Sequence, residues 1–426
     1  MKNYKNNIKI LKGNIVYSKD SNSFNIIENG YIVIDEKIIQ GTYKKLPEEF
    51  LNIKIDDYGN RLIIPGFIDL HTHASQFAIR GIGYDKELLP WLETYTFPEE
   101  SKFKDTSYAK KVYKEFVQEL YEEGTTRAVI FATIHSESTE ILMDLLEEKG
   151  IISYVGKVNM DRNCPNNLKE NSDKSINATK EWIYKCSKKY KFVKPIITPR
   201  FVPSCTSYLM KELGSLAVKN SIPVQSHLSE NLSEIQWVKE LHPKSRNYGD
   251  VYDNFKLFGQ TKTIMAHCVH LTNEEINTIE KNNVIIAHCP TSNENLSSGI
   301  SPINKLLRKN IKIGLGSDIA GGDTLSMFSV ISAAIKMSKL RNACFKEGEK
   351  ALTLQEAFYL ATKCGGEFFG KVGSFEKGYE FDALVIDDEN LWKTGNGTIE
   401  ERLERLVYLG NKNNIVKTYI CGKGVD

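Results

Sequence analysis

The sequence predicts an α/β chain, a (β/α)8 barrel of TIM type inserted in a small β-sandwich formed by both chain ends. Three observations predict it. Through the middle of the chain, eight apolar runs alternate with helical stretches, the pattern of a parallel α/β fold. Both ends carry short β-branched runs broken by Gly and Asn. Six of the eight histidines fall on or just after the ends of the apolar runs, which is where a barrel of this kind carries its chemistry.

The chain begins with the runs Ile8–Leu11, Asn14–Tyr17 and Gly30–Ile34, followed after a turn by Glu36–Ile39. Gly373–Phe375, Ala383–Asp387 and Val416–Cys421 have the same character at the far end. Neither piece is long enough to close a core alone. The expected division is therefore a composite β-sandwich from residues 1–61 and 374–426, with the barrel over 62–373. The eight barrel strands are expected at 62–70, 127–134, 151–159, 193–198, 222–227, 262–267, 283–288 and 311–316. Helices are expected over Lys104–Glu123, Asp173–Lys189, Leu209–Lys219 and Glu274–Lys281, where apolar residues recur at three- and four-residue spacing.

The totals exclude several classes. With 56 Lys+Arg against 54 Asp+Glu among 426 residues, nothing points to nucleic acid or an anionic membrane as partner. The polar, basic start from Met1 to Lys12 reads as neither a secretory signal nor a span. The eight cysteines are scattered without a Cys-x-x-Cys pair, which fits free thiols in a reducing cytoplasm.

The chemistry collects after the runs. Strand 1 ends at His71 and His73, which lie on one side of a strand and can grip one ion. Strand 4 ends at Arg200-Phe201, strand 5 at His227 with Glu230 beyond it, strand 6 at His267 with His270, strand 7 at His288, and strand 8 at Ser317-Asp318. His71, His73 and His227 supply three nitrogens and Asp318 an oxygen, a donor set for a catalytic zinc with a place left for water. Glu230 is placed to move a proton from that water to a ring nitrogen, His267 to orient the water, and Asp318 to carry a proton to the leaving group. Each has a plainer alternative. His227 can be a core histidine, Glu230 the support of a capped helix start, and Asp318 a helix cap. Lys157 reads as structural. His135, His270 and His288 carry no assigned role. His135-Ser136-Glu137 matches half of another zinc deaminase plan, but no Pro-Cys-x-x-Cys follows.

The motifs PGFIDLHTH (65–73), HTHASQFAIRG (71–81), LPWLETYTFPEE (89–100), TPRFVPSC (198–205), QSHLSE (225–230), MAHCVHL (265–271), IAHCPTSN (286–293) and GLGSDIAGG (314–322) resemble the amidohydrolase superfamily. Within it they are most similar to the guanine deaminases, and the likeness covers nearly the whole chain. The resemblance implies one zinc per chain, with iron the alternative, held by His71, His73, His227 and Asp318. It implies Glu230 as the proton shuttle and Gln76, Arg200, Phe201 and His267 as the residues that hold guanine. Trp91 is a candidate flat surface for the purine, or packing at the barrel mouth. Val202-Pro203 departs from the family pattern and leaves the shape of that loop open. The implied reaction is hydrolysis of guanine to xanthine and ammonia, in a homodimer. Deamination or dechlorination of another purine, pterin or triazine ring is the alternative, and a non-catalytic scaffold the third reading.

Overall fold

β-Branched runs become strands here because they bury both faces between a shared interior and a layer of helices. The computed structural model describes residues 7–345, 348, 350–391 and 397–425, so the polar start read over Met1–Lys12 lies partly outside the described residues. The first segment forms β1 (Ile8–Asp20), β2 (Ser23–Asp35), β3 (Ile38–Tyr43) and β4 (Ile55–Pro65). The middle forms β5 (Phe67–His73), β6 (Thr125–Phe131), β7 (Ile152–Gly156), β8 (Val158–Asn159) and β9 (Val193–Pro195). It continues with β10 (Thr198–Pro199), β11 (Val224–Leu228), β12 (Thr263–His267), β13 (Ile285–His288) and β14 (Ile313–Leu315). The last segment forms β15 (Ala383–Ile386), β16 (Ile415–Ile420) and β17 (Lys423–Val425).

The two chain ends share one seven-stranded sheet, ordered β17-β16-β15-β4-β1-β2-β3. They meet directly where β4 pairs antiparallel with β15, Pro65 opposite Ala383. The run expected as one strand over 62–70 is two strands. Leu62–Pro65 belongs to the end sheet, and β5 starts a parallel one. The break falls at Gly66, whose N–H donates to Asp382 O at 3.1 Å. A Cβ there would sit 2.4 Å from Thr126 Cγ2, so the crossing leaves room only for glycine.

Two parallel four-stranded sheets follow, β5-β6-β7-β9 and β11-β12-β13-β14, with β8 and β10 paired beside them. A parallel bridge between Ile197 and Val224 links the first group to the second. The chain after β14 returns to β5, where Asp318 N–H donates to His71 O at 2.8 Å and His73 N–H to Ile319 O at 3.2 Å. Ile68 and Leu70, Val129, Ile264 and Ala266, and Ile285 and Ala287 pack into one shared cluster. The sheets are consistent with a TIM-barrel-type fold. The expected strands at 151–159 and 193–198 each divide into two short ones, because their pairing changes: β7 pairs with β6 and β9, whereas β8 pairs with β10.

The expected helices run over Thr106–Glu122, Ser172–Lys189, Ser207–Asn220 and Asn273–Lys281. Polar side chains cap their starts: Asp105, Asn171, Thr206 and Thr272 each accept from a backbone N–H of the first turn. Among the described residues no helix is long and apolar enough to cross a membrane, and all eight cysteines are unpaired.

Candidate active site

β5 carries His71 and His73 to its C-terminal end, and the turn Ala74–Ile79 that follows carries Gln76. β11 delivers His227, and the chain turns through Ser229 at φ +50° to present Glu230. β12 ends at His267, itself at φ +70°, and Asp318 stands beyond β14 at φ +48°. Left-handed backbone at non-glycine residues is uncommon, and its clustering here is typical of a functional site.

These side chains converge. His73 Nε2 lies 3.1 Å from His227 Nε2. Asp318 Oδ1 lies 3.1 Å from His71 Nε2 and 3.5 Å from His73 Nε2. Donor atoms about 2.0–2.1 Å from one ion are about 3.3 Å apart at a tetrahedral angle, so the spacing suits a shared cation. His71 Nε2 is buried without a hydrogen-bond partner. His227 Nδ1 faces Arg200 O at 2.6 Å, which makes Nδ1 the donor and leaves the Nε2 lone pair to the cluster. Burial, aided by neighbouring His71, holds His73 and His227 well below the usual imidazole range, so both rings are neutral. Burial alone would raise Asp318, but His71, His267 and His73 outweigh it and hold the carboxyl well below its usual range. Three imidazoles and one carboxylate are a donor set that fits a divalent metal.

Glu230 stands beside this set. Its Oε1 accepts from Ser298 Oγ at 2.9 Å, and its Oε2 lies 3.4 Å from His267 Nε2. Burial pushes the Glu230 carboxyl up to about 7 against the pull of His267. A carboxyl tuned to neutrality can both take and give a proton. Burial opposes protonation of His267, but Glu230 and Asp318 outweigh it and raise its pKa. Its Nδ1 lies 3.0 Å from Asn293 Oδ1, which turns Nε2 towards Glu230 and Asp318.

His73, His227, Glu230, His267 and Asp318 line one cavity with Gln76, Trp91, Arg200 and Phe201. Every site residue named from the sequence is therefore at this cavity or, for His71, directly behind it. Trp91 both lines the cavity and is pinned, its Nε1 donating to Ile82 O at 2.9 Å. The Val202–Ser204 stretch forms a single 3-10 turn. Lys157 is buried and donates to Glu170 Oε1 at 2.7 Å, a structural ion pair. His270 Nε2 lies 2.7 Å from Ser298 O, behind the Glu230 contact. His288 is buried with neither ring nitrogen partnered, and His135 is half-buried; neither lines the cavity.

Sequence reasoning missed two carboxylates. Glu100 accepts from Gln76 and from Arg200, both of which line the cavity. Asp69 accepts from His71 N–H and Ser317 N–H, each at 3.1 Å, tying β5 to the loop that carries Asp318. Asp69 stands inside the apolar run Phe67–Leu70, a signal the sequence does carry, whereas nothing local separates Glu100 from Glu99, which is buried beside it.

The Amidohydrolase family model matches residues 62–425. The chain belongs to the amidohydrolase family. This amidohydrolase is similar to the crystal structure of a guanine deaminase from C. acetobutylicum with bound guanine in the active site. The two share 54% identity and a TM-score of 0.97, covering 99% of this chain and 100% of that one. It is 40% identical to the guanine deaminase of Dictyostelium discoideum, over 98% of each chain. The guanine deaminase of Escherichia coli is 33% identical over 95% of this chain and 92% of its own.

Proposed function

We propose that this amidohydrolase is a metal-dependent aminohydrolase that converts guanine to xanthine and ammonia. The observation that carries the reading is one cavity lined by His73, His227 and Asp318, with His71 against them, facing a carboxyl whose pKa burial lifts to about 7 and an Arg–Gln pair. Full-length similarity to guanine deaminases supports the same substrate.

In this reading His71, His73, His227 and Asp318 hold one zinc per chain, with iron the alternative. The ion supplies Lewis acidity that brings the pKa of a water into the neutral range. Arg200 and Gln76 hold the oxygen-bearing edge of the purine, Phe201 covers its face, and the 2-amino carbon is turned towards the donor set. Glu230 takes the proton of the attacking water and passes it to the ring nitrogen beside that carbon. His267, its Nε2 towards Glu230 and Asp318, orients the water. The tetrahedral intermediate collapses as Asp318 helps to deliver a proton to the departing ammonia.

The parallel strands from Phe67 onward are read as a closed eight-stranded barrel, and the segment up to Pro65 with residues 374–426 as a composite β-sandwich, so that the joint expected between 61 and 62 moves to Gly66. A homodimer in the cytoplasm completes the reading; neither nucleic acid nor membrane has a part in it.

The test is ammonia release from guanine by metal-analysed protein, with adenine, 8-oxoguanine, a pterin and a chlorinated triazine alongside. The expected result is turnover of guanine well above the rest, lost with a chelator and restored by zinc or iron. Guanine left untouched by metal-replete protein overturns the substrate.

A further inference from the structure

Glu100 is a buried carboxylate behind two cavity-lining residues, Gln76 and Arg200, on a helix, Phe97–Ser101, that packs against the turn carrying Gln76. Arg200 Nη1 donates to Glu100 Oε1 at 2.8 Å and Oε2 at 2.6 Å. Gln76 Nε2 donates to the same Oε1 at 3.0 Å. All three side chains are buried, each under 5% exposed. Phe97 lies beneath the Arg200 guanidinium, 5.2 Å from ring centre to Cζ, so the pair has little freedom to swing away.

An ionised carboxylate accepts hydrogen bonds and donates none. A Gln76 amide turned over would set its oxygen against Glu100 Oε1, two acceptors facing each other out of reach of water. Glu100 therefore excludes one of the two amide orientations. The Gln76 oxygen and its remaining N–H are left to the cavity in a set order. A 6-oxo purine edge offers an acceptor at O6 beside a donor at N1. A 6-amino edge offers the reverse, a donor beside an acceptor.

We propose that Glu100 is a positioning residue that sets the order of acceptor and donor presented by Gln76, and so selects a 6-oxo over a 6-amino purine. The proposal rests on the guanine reading of the cavity. Guanine and 2,6-diaminopurine isolate the effect. Each carries an amine on C2, and hydrolysis at that carbon adds water and expels ammonia, leaving the 6-oxo or 6-amino group in the product. They differ at the edge that Gln76 reads.

The experiment compares kcat/KM for the two purines in wild-type and Glu100→Gln protein. A glutamine at 100 can accept from or donate to Gln76, so both amide orientations become available. The guanine-to-diaminopurine ratio is expected to fall by about tenfold or more. Equal losses on both substrates, with the ratio unchanged, reduce Glu100 to structural support and overturn the proposal. If Glu100→Gln does not fold, Gln76→Met keeps the Arg200–Glu100 pair and removes the amide. Its ratio must collapse in the same way, and a wild-type ratio in Gln76→Met equally overturns the proposal. Wild-type protein inert towards guanine defeats the guanine reading and this proposal together, a result distinct from an unchanged ratio in an active enzyme.

Discussion

Among single residues, burial governs protonation. Glu230 is lifted to about 7 because its charge has lost water, while Asp318 is held low because three imidazoles surround it. The two carboxyl groups thus start in different states, Glu230 poised to exchange a proton near neutral pH and Asp318 an anion that can accept one. Glu230→Gln is expected to keep the metal, since Glu230 is not among the donors, and to lose about 10²–10⁴-fold in turnover. Metal analysis with steady-state kinetics checks it, and near-normal turnover would remove Glu230 from the mechanism. His288 gives a pH prediction. Burial, with His267 nearby, lowers its pKa to about 3, while an unfolded chain titrates it near its ordinary value of about 6.5. Between these values the unfolded state holds the extra proton. The contribution to stability is whole above about pH 6.5 and is lost as pH falls towards 3. His288→Leu should therefore show a shallower acid slope by about 1.4 kcal/mol per pH unit, measured by urea denaturation. Equal slopes in the two proteins would contradict it.

Among the secondary-structure elements, the site is assembled by how strands end and helices begin. The helix Leu232–Leu241 starts in a capping box, and Glu234 Oε2 accepts from Glu230 N–H at 3.0 Å and Asn231 N–H at 3.3 Å. Tyr248 Oη holds the other Glu234 oxygen at 2.7 Å. The plainer reading of Glu230 as part of a capped helix start is thus realised by its backbone, while its side chain serves the cavity. Helix placement also depends on close approach. A Cβ at Gly214, on the helix Ser207–Asn220, would lie 1.8 Å from Phe255 O, a backbone atom that cannot turn aside. Gly214→Ala is expected to cost about 1–3 kcal/mol, read as a lowered urea midpoint with an unchanged m-value. An unshifted midpoint would show that the two segments can part freely.

Across the molecule, the end sheet is joined to the parallel strands by a buried ionic junction. Arg127 on β6 donates through Nε to Asp382 Oδ2 at 2.7 Å and through Nη2 to Glu380 Oε2 at 2.8 Å. Asp382 also accepts from Cys421 N–H at 2.7 Å, and its carbonyl receives Gly66 N–H. One residue therefore touches both chain ends and the first parallel sheet. Asp382→Ala leaves the Arg127 charge buried beside a weakened partner set. It is expected to cost about 3–5 kcal/mol while leaving the metal content of the folded protein intact. A stability loss below about 1 kcal/mol in chemical denaturation would show that the junction does not join the two parts.

What periodicity and local chemistry can encode was legible in the residues alone. Alternating runs set the order of strands and helices, and the His-x-His pair at the end of β5 marked the end where the candidate donor set gathers, because positions i and i+2 on one strand share a face. His227, His267 and Asp318 were legible for the same reason, each standing where an apolar run stops. The resemblance added Gln76, Arg200 and Phe201. Contacts between distant segments came only with the folded chain. The split of the 62–70 run at Gly66 depends on Asp382, more than 300 residues away along the chain. The role of Glu100 depends on Arg200 arriving from the end of β10, and that of Arg127 on the far chain end. No local pattern records such pairings, since their energy exists only once folding has removed both partners from water.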